Sequence, residues 1–265
     1  MKTDYGKVEE LAAKWINQDY IREHIPGSVH FHAEVATFPG KYEKASLYPK
    51  DIFERYVRLL GVNQDDDVVV YARGAVGGML WAARVWWLLK EYGMKKVRVL
   101  EGGLDKWKAE GGEVTGEPTK VKKGNWTASD IDRQHFTTFE DLFQPTGAYH
   151  KINLLDARPA AQFNGSEPLS FPPNGAPGAH IDGARNIPLP SLLTSTSELK
   201  DVEDIKKVLS EAGFDPSKPS VTICNGGTQA SLLALVLSKA DLPYSVYNGS
   251  LREVSIRDPK LIDKN

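Results

Sequence analysis

The only cysteine of the 265-residue chain lies in a context that favours chemistry at sulfur. Cys224 follows the β-branched segment "VTI", which is typical of a strand. Asn225, a glycine pair and a strongly helix-forming segment, residues 230–240, come after it. Backbone N–H groups around such a loop converge, and the helix start adds positive potential, so the loop can bind an anion. This environment favours a thiolate, which is the nucleophile in covalent catalysis by cysteine.

A plainer interpretation is that Cys224 packs in a core, because free cysteines are among the most buried residues. The glycine pair favours a functional loop, since a packing cysteine needs none. Two reactions suit a thiolate among backbone amides. Phosphate-ester hydrolysis requires an arginine six positions after the cysteine, and residue 230 is alanine, which argues against it. Sulfur transfer fits: the thiolate takes a sulfane sulfur, and the amides stabilise the persulfide anion until an acceptor removes the sulfur.

The chain contains two similar copies of one pattern, about 150 residues apart. The segment "EHIPGSVHF" matches "AHIDGARNIPL", and "VLEGGLDKW" matches "VYNGSLREV". Between them, "VVVYARGAVGG" matches the cysteine loop and places Ala72 where the second copy has Cys224. The pattern indicates a duplicated domain in which only the second copy carries the thiol.

The order of elements in each copy positions these loops. An amphipathic segment, a turn, an apolar strand, the loop, a helix and another strand follow one another, which predicts α/β domains with parallel sheets. Each loop then lies at the carboxyl edge of its sheet, where ligands bind. We predict an N-terminal domain at residues 1–112, a linker at 113–130 and a C-terminal domain at 131–265. The buried strand "INLLDAR" of the second copy has no visible counterpart in residues 1–20, which we expect to be helical.

Composition excludes several classes of partner. The net charge of −2 predicts no binding to nucleic acid or to an anionic membrane. The apolar run from Met79 to Leu89 is interrupted by Arg84 and is shorter than the ~20 residues of a membrane-spanning helix. The first ten residues resemble neither a secretory signal nor a transit peptide, so we expect a cytoplasmic protein, with a mitochondrial location as the alternative.

A metal or cofactor is not expected. A single cysteine excludes an internal disulfide and a thiolate-rich zinc site. Among six histidines, His30 and His32 alternate as on one face of a strand, but no cluster of acidic residues or further imidazoles lies near them in sequence. We therefore expect surface or packing roles for the histidines.

Several segments together resemble the two-domain rhodanese family of thiosulfate and 3-mercaptopyruvate sulfurtransferases. They are "HIPGS", "AARVWWLLKEYGMKKVRVLEGGLDKW", "LLDARPAAQFNG", "HIDGARNIP" and the cysteine loop, in the family order over about 230 of the 265 residues. The resemblance implies an α/β fold of two tandem rhodanese-like domains, each a parallel sheet flanked by helices. It also implies a catalytically inactive first domain and a catalytic second one.

The same resemblance assigns roles to residues. Cys224 matches the persulfide-forming cysteine, and Arg158 matches an arginine that reaches the substrate. The substrate-binding loop that follows the cysteine matches Asn225, Gly226, Gly227, Thr228 and Gln229. Asp156 has two readings, orienting the site or, more simply, capping the strand end or forming a salt bridge.

The loop also departs from the family patterns. Thiosulfate-preferring members resemble "CRKGVT" and mercaptopyruvate-preferring members "CGSGVT", whereas Asn225 and Gly226 provide neither the basic pair nor the serine. Gln162 stands where an arginine is frequent, and Leu251 and Val254 replace tryptophans. The uncharged loop favours 3-mercaptopyruvate over thiosulfate as the small anionic donor.

Two functions follow as hypotheses. The first is a sulfurtransferase with a small thiol, thioredoxin or cyanide as acceptor. The second, which the departures keep open, is a degenerate rhodanese that binds a partner or senses oxidants through Cys224. Elsewhere, Thr138 is predicted to cap a helix, and Trp81, Trp86 and Trp87 are predicted to pack in a core or between domains.

Overall fold

A computed structural model describes residues 8–14, 17–144, 147–168 and 179–263. The chain divides into two units. One contains the residues through Pro39 and those from Ala45 to Asp132, and the other contains Gly40–Lys44 and the residues from Arg133 onward. The domain boundaries predicted at residues 112 and 131 stay a prediction. Within the described residues, no helix is long and apolar enough to cross a membrane.

The first unit holds helices on a short parallel sheet. Its helices are α1 (Val8–Lys14), α2 (Gln18–Arg22), α3 (Lys50–Leu59), α4 (Met79–Glu91) and α5 (Gly103–Ala109). Its strands are β1 (Thr37–Phe38), β2 (Ser46–Leu47), β3 (Val68–Val70) and β4 (Val97–Val99). Strands β3 and β4 pair in parallel, whereas β1 and β2 form an antiparallel pair. As expected, the described part of residues 1–20 is helical and contains no strand.

In the described part of this unit, strand β3 has one free edge. Among the described residues, β3 pairs only with β4. Val69 at its centre is 50% exposed. A cavity of about 660 Å³ adjoins this strand and is lined also by residues 27–34. The corresponding strand of the second unit is covered on both edges, as described below.

Helix α4 is the centre of the first unit's core. Trp86 and Trp87 are 3% and 0% exposed, which confirms core packing for these two. Trp81 is 52% exposed, so the prediction of core packing was wrong for this residue, and the alternative of packing between domains stays a prediction. Trp81 lies in the first turn of α4, beside the cavity next to β3, whereas Trp86 and Trp87 lie in the middle of the helix.

The predicted linker packs partly against this unit. Trp126 is 1% exposed, and its ring meets Phe53 edge to face at 6.1 Å between centroids. Its backbone N–H donates to the carbonyl of Val62. The aromatic side chain therefore anchors part of the segment that was predicted to be a linker.

The second unit is a five-stranded parallel sheet in the order β5-β9-β8-β6-β7. The strands are β5 (Phe136–Thr137), β6 (Asn153–Asp156), β7 (Arg185–Asn186), β8 (Ser220–Ile223) and β9 (Ser245–Tyr247). The helices are α6 (Phe139–Phe143), α7 (Ala160–Phe163), α8 (Val202–Glu211), α9 (Thr228–Lys239) and α10 (Ser250–Arg257). All residues of β6, β8 and β9 are buried, as expected for the middle of a parallel sheet.

Helix α6 begins as predicted. The Thr138 side chain accepts a hydrogen bond from the Asp141 backbone N–H, and the Asp141 carboxylate accepts one from the Thr138 backbone N–H. This capping box satisfies two N–H groups that a helix start leaves free. The helix buries Phe139, Leu142 and Phe143 in the core of the unit.

Glu91 makes the stability of the first unit depend on pH. Its side chain is buried at the end of α4, and burial raises its pKa to about 9, with a further increase from Asp132 and an opposing effect of Trp87 and Arg84. Because the fold favours the uncharged carboxyl, the contribution of Glu91 to stability is fully present below its ordinary pKa of 4.5. This contribution is lost as the pH rises towards 9.

We predict that Glu91→Gln flattens this dependence. Between these pH values, the free energy of unfolding of the unaltered chain should fall, relative to the variant, by about 1.4 kcal/mol per pH unit. Urea unfolding followed by tryptophan fluorescence measures it, because all six tryptophans precede residue 132. Parallel pH profiles for the two proteins would contradict the prediction.

Candidate active site

Cys224 follows the last residue of β8, at the carboxyl edge of the sheet. Its backbone is fixed from both sides. The Cys224 N–H donates to the Ser250 hydroxyl at 3.1 Å, and its carbonyl accepts from the Leu251 N–H at 3.1 Å. Ser250 in turn donates to the carbonyl of Tyr247 at 2.8 Å. The end of β8 and the start of α10 therefore hold the cysteine in place.

The sulfur of Cys224 contacts a backbone amide at the start of a helix. The Gly227 N–H donates to Sγ, with 3.1 Å between nitrogen and sulfur. Gly227 has φ 93°, a left-handed conformation that glycine adopts without steric cost, and it directly precedes the 12-residue helix α9. Ser231, one turn into the helix, donates its hydroxyl to the Gly227 carbonyl at 2.9 Å. The positive end of the helix dipole and an oriented N–H thus stabilise negative charge on sulfur.

The remaining loop residues surround this contact. Cys224 is only 2% exposed, whereas Asn225, Gly226, Thr228 and Gln229 are half-buried. A methyl group added at Gly226 would meet no atom within 4 Å, so space is open there. The structure therefore brings all six predicted loop residues together beside an opening.

Asn225 connects the loop to α7. Its side-chain amide donates to the Gln162 Oε1 at 2.9 Å. The Asn225 Oδ1 is buried and has no hydrogen-bond partner among the described residues. Gln162 was noted in the sequence only as a departure from the family pattern, and here it positions the residue next to the cysteine.

The equivalent loop of the first unit has a different geometry. The Leu104 N–H donates to the Ala72 carbonyl, just as Leu251 does to Cys224. A Cβ added at Gly78 or at Gly103 would lie 2.6 Å or 2.4 Å from the Ala72 carbonyl oxygen. The backbone closes tightly around Ala72, and no thiol is present there.

Arg158 lies in a buried ion pair. Its guanidinium and the Asp156 carboxylate are both fully buried and 2.7 Å apart. The guanidinium also donates to the carbonyls of Ala179 at 2.8 Å and Gln162 at 3.4 Å. Asp156 further accepts the Arg158 backbone N–H, so it caps the strand end and forms a salt bridge, the simpler of its two expected roles. The predicted contact of Arg158 with substrate stays a prediction.

The histidines show packing contacts. His30 and His32 stack edge to face at 5.1 Å between ring centroids. Burial, and secondarily His32, lowers the pKa of His30 to about 4, so its ring is uncharged near neutral pH. Within the described ranges, no group of three or more His, Cys, Asp or Glu residues could hold a metal ion.

Sequence reasoning missed Ser250 and Arg252 as neighbours of the cysteine. The Arg252 N–H donates to the Asn225 carbonyl at 3.0 Å. The sequence contains a signal for this proximity. The segment "VYNGSLREV" begins in the strand next to β8, and parallel strands end at one edge of the sheet, so the residues after both strands lie close together.

Comparisons with known proteins agree with this architecture. The family model described as "Rhodanese-like domain" matches residues 16–110 and 139–256. The Caenorhabditis elegans protein mpst-1 is 37% identical, covering 92% of this chain and 78% of its own length. The thiosulfate sulfurtransferase of Gallus gallus is 34% identical over 91% of this chain and 82% of its own.

A solved structure has the same fold. The 3-mercaptopyruvate sulfurtransferase SseA from Escherichia coli superposes with a TM-score of 0.75 at 29% identity, covering 88% of this chain and 85% of that one. Two matches to the family model cover most of the sequence, and each unit has strands and helices in the predicted order. The chain therefore belongs to the rhodanese-like family and contains two copies of its domain.

Proposed function

We propose that this protein is a sulfurtransferase that carries a sulfane sulfur on Cys224 as a persulfide. The observation that carries the proposal is the Gly227 N–H donated to Sγ at the start of α9. Relatives similar along most of the chain are a thiosulfate sulfurtransferase and a 3-mercaptopyruvate sulfurtransferase, which supports the same reaction class here.

In the first half-reaction the Cys224 thiolate attacks the sulfur to be transferred, which is the outer sulfur of thiosulfate or the thiol sulfur of 3-mercaptopyruvate. A new S–S bond forms between Sγ and that sulfur. With thiosulfate, the S–S bond of the donor breaks and sulfite leaves with the electron pair. With 3-mercaptopyruvate, the C–S bond breaks, and the enolate of pyruvate leaves and takes up a proton. The amides at the helix start are suited to both anions, the thiolate before the step and the persulfide after it.

In the second half-reaction an acceptor removes the outer sulfur. A thiolate, or cyanide, attacks the terminal sulfur of the persulfide, the bond to Sγ breaks, and the Cys224 thiolate is restored. We propose a small thiol, thioredoxin or cyanide as the acceptor, and the cytoplasm as the compartment, with the mitochondrion as the alternative. The open space at Gly226 supports access of such a molecule to the loop.

We propose that the backbone amides of five loop residues bind the persulfide anion and the donor. These residues are Asn225, Gly226, Gly227, Thr228 and Gln229. We keep Arg158 as a donor-binding residue, supported by its link through Gln162 to Asn225. The donor is a small anion, 3-mercaptopyruvate or thiosulfate, and the uncharged loop favours the former.

The first domain is proposed to be inactive because Ala72 replaces the nucleophile. The alternative of a binding or redox-sensing module is not favoured. Relatives that are similar along most of the chain are named as sulfurtransferases, which are enzymes.

Intact-mass spectrometry tests the proposed function. After incubation with 3-mercaptopyruvate or thiosulfate, we expect the chain to gain one sulfur atom, because the thiolate keeps the transferred sulfur. Addition of a thiol should remove it and release sulfide. Cys224→Ser is the control and should gain no mass. The proposed function would be overturned if the unaltered chain gained no sulfur from either donor, or if the Cys224→Ser variant gained the same mass as the unaltered chain.

The two adjacent glycines of the loop offer a matched pair of variants. Gly227→Ala forces a side chain into a left-handed backbone, at a cost of about 1–2 kcal/mol, and displaces the amide on sulfur. Gly226→Ala enters open space without a positive φ. We expect kcat/KM for either donor to fall about tenfold or more in the former and little in the latter. Equal losses in both would contradict the role of the Gly227 amide.

Variants of the buried ion pair distinguish a role of Arg158 in donor binding from its contribution to the stability of the fold. Arg158→Ala and Asp156→Asn should each lower the free energy of unfolding, the former by about 3–5 kcal/mol, because it leaves a buried charge unpaired. We expect KM for an anionic donor to be higher in the Arg158→Ala variant than in the Asp156→Asn variant, because only the former loses the donor-binding guanidinium. Steady-state kinetics below the melting range of both variants measures this. Equal KM values would remove Arg158 from the donor-binding residues.

A further inference from the structure

We propose that Arg252 binds the anionic group of the sulfur donor beside Cys224, an inference that rests on the proposed sulfur transfer. The donors are anions, yet the loop from Asn225 to Gln229 contains no charged side chain. The nearest basic residue tied to this loop by a backbone hydrogen bond is Arg252, in the first turn of α10.

The position of Arg252 is fixed by the same contacts that hold the cysteine. Leu251 donates its N–H to the Cys224 carbonyl, and Arg252 donates its N–H to the Asn225 carbonyl at 3.0 Å. Two successive residues of α10 are thus hydrogen-bonded to the cysteine and the residue after it.

Helical geometry gives the direction of the side chain. In an α-helix the Cα–Cβ bond tilts toward the N-terminus. The N-terminus of α10 is Ser250, whose hydroxyl accepts the Cys224 N–H. The Arg252 side chain therefore starts out toward the end of the helix that adjoins the cysteine.

The Arg252 side chain has no polar partner among the described residues. The Arg252 Nε is buried, and within the described part of the chain it has no hydrogen-bond partner and the side chain no ion pair. Three other arginines of this unit are paired with carboxylates, namely Arg133 with Asp141, Arg158 with Asp156, and Arg257 with Glu140 and Glu253. Among the described residues of this unit Arg185 also has no ion pair, and what sets Arg252 apart is that its Nε is buried without a partner.

A second unpartnered atom lies on the neighbouring residue. The Asn225 Oδ1 is also buried and, among the described residues, accepts no hydrogen bond. Buried polar atoms nearly always have partners in folded proteins. A buried donor and a buried acceptor, on two residues joined through their backbones, indicate the place of a polar ligand.

The internal repeat supplies an independent comparison. Aligning "NGSLREV" with "EGGLDKW" places Arg252 opposite Asp105. The backbone contact of Leu251 with Cys224 is reproduced by Leu104 with Ala72. The copy that has the thiol therefore carries a cation at this position, and the copy that lacks it carries an anion.

Steady-state kinetics of Arg252→Gln tests the proposal. We expect KM for thiosulfate to rise about tenfold, the size of a charge-assisted hydrogen bond, with kcat nearly unchanged. The rise should be smaller for 3-mercaptopyruvate, which carries one charge instead of two. Arg252→Lys should restore part of the affinity. Lys260→Gln removes the same charge from an exposed position and is the matched control.

A binding measurement keeps this result separate from the proposed function. Thiosulfate is titrated calorimetrically into the Cys224→Ser protein, which cannot transfer sulfur, with Arg252 intact or replaced by glutamine. We expect Kd to rise about tenfold in the double variant. An unchanged Kd, an equal effect of Lys260→Gln, or no thiosulfate binding to Cys224→Ser would overturn the role of Arg252. Failure of the unaltered chain to form a persulfide would instead overturn sulfur transfer.

Discussion

The hydrogen bond from the Gly227 amide to the sulfur of Cys224 is the contact on which the rest of the site depends. It exists because β8 delivers the cysteine to the sheet edge, and a glycine at φ 93° turns the chain directly into α9. Most residues resist that backbone conformation, and a later turn would carry the helix start away from sulfur. The hydroxyl of Ser250 accepts the Cys224 backbone N–H and so holds the end of β8 in place beside the loop.

Comparison of the two copies separates what the fold requires from what the chemistry requires. In both copies a leucine N–H, from Leu251 or Leu104, donates to the carbonyl of the equivalent loop residue, Cys224 or Ala72. This contact is therefore a property of the fold. The second copy alone has a thiol and, at residue 252, an arginine without an ion pair among the described residues, whereas open space lies both beside Gly226 and beside its counterpart Gly74. In the first copy, glycines pack closely on the Ala72 carbonyl, and the cavity of about 660 Å³ lies beside Ala72 and the strand before it.

Much of this arrangement follows from the sequence, because strand, glycine turn and helix start are local patterns. The duplicated order, the position of Cys224 and the Thr138 cap could all be predicted in this way. The state of Arg158 could not, since its partners include a carbonyl 21 residues away, and "DAR" does not say whether the guanidinium meets solvent or Asp156. The role of Arg252 depends on pairing between two neighbouring loops, which a single segment does not reveal. The exposure of Trp81 does not follow from helical periodicity either, since Leu88 lies about 20° from it around α4 and is fully buried.

A crystal structure of the chain after reaction with a sulfur donor tests the central claim most directly. We predict a second sulfur bonded to Cys224 Sγ, within hydrogen-bonding distance of backbone N–H groups of residues 225–229 at the start of α9. Such a position would mean that main-chain amides stabilise the anion at the moment it carries the sulfur. A transferred sulfur that points into the apolar core, away from those amides, or that is bonded to another residue, would contradict the account.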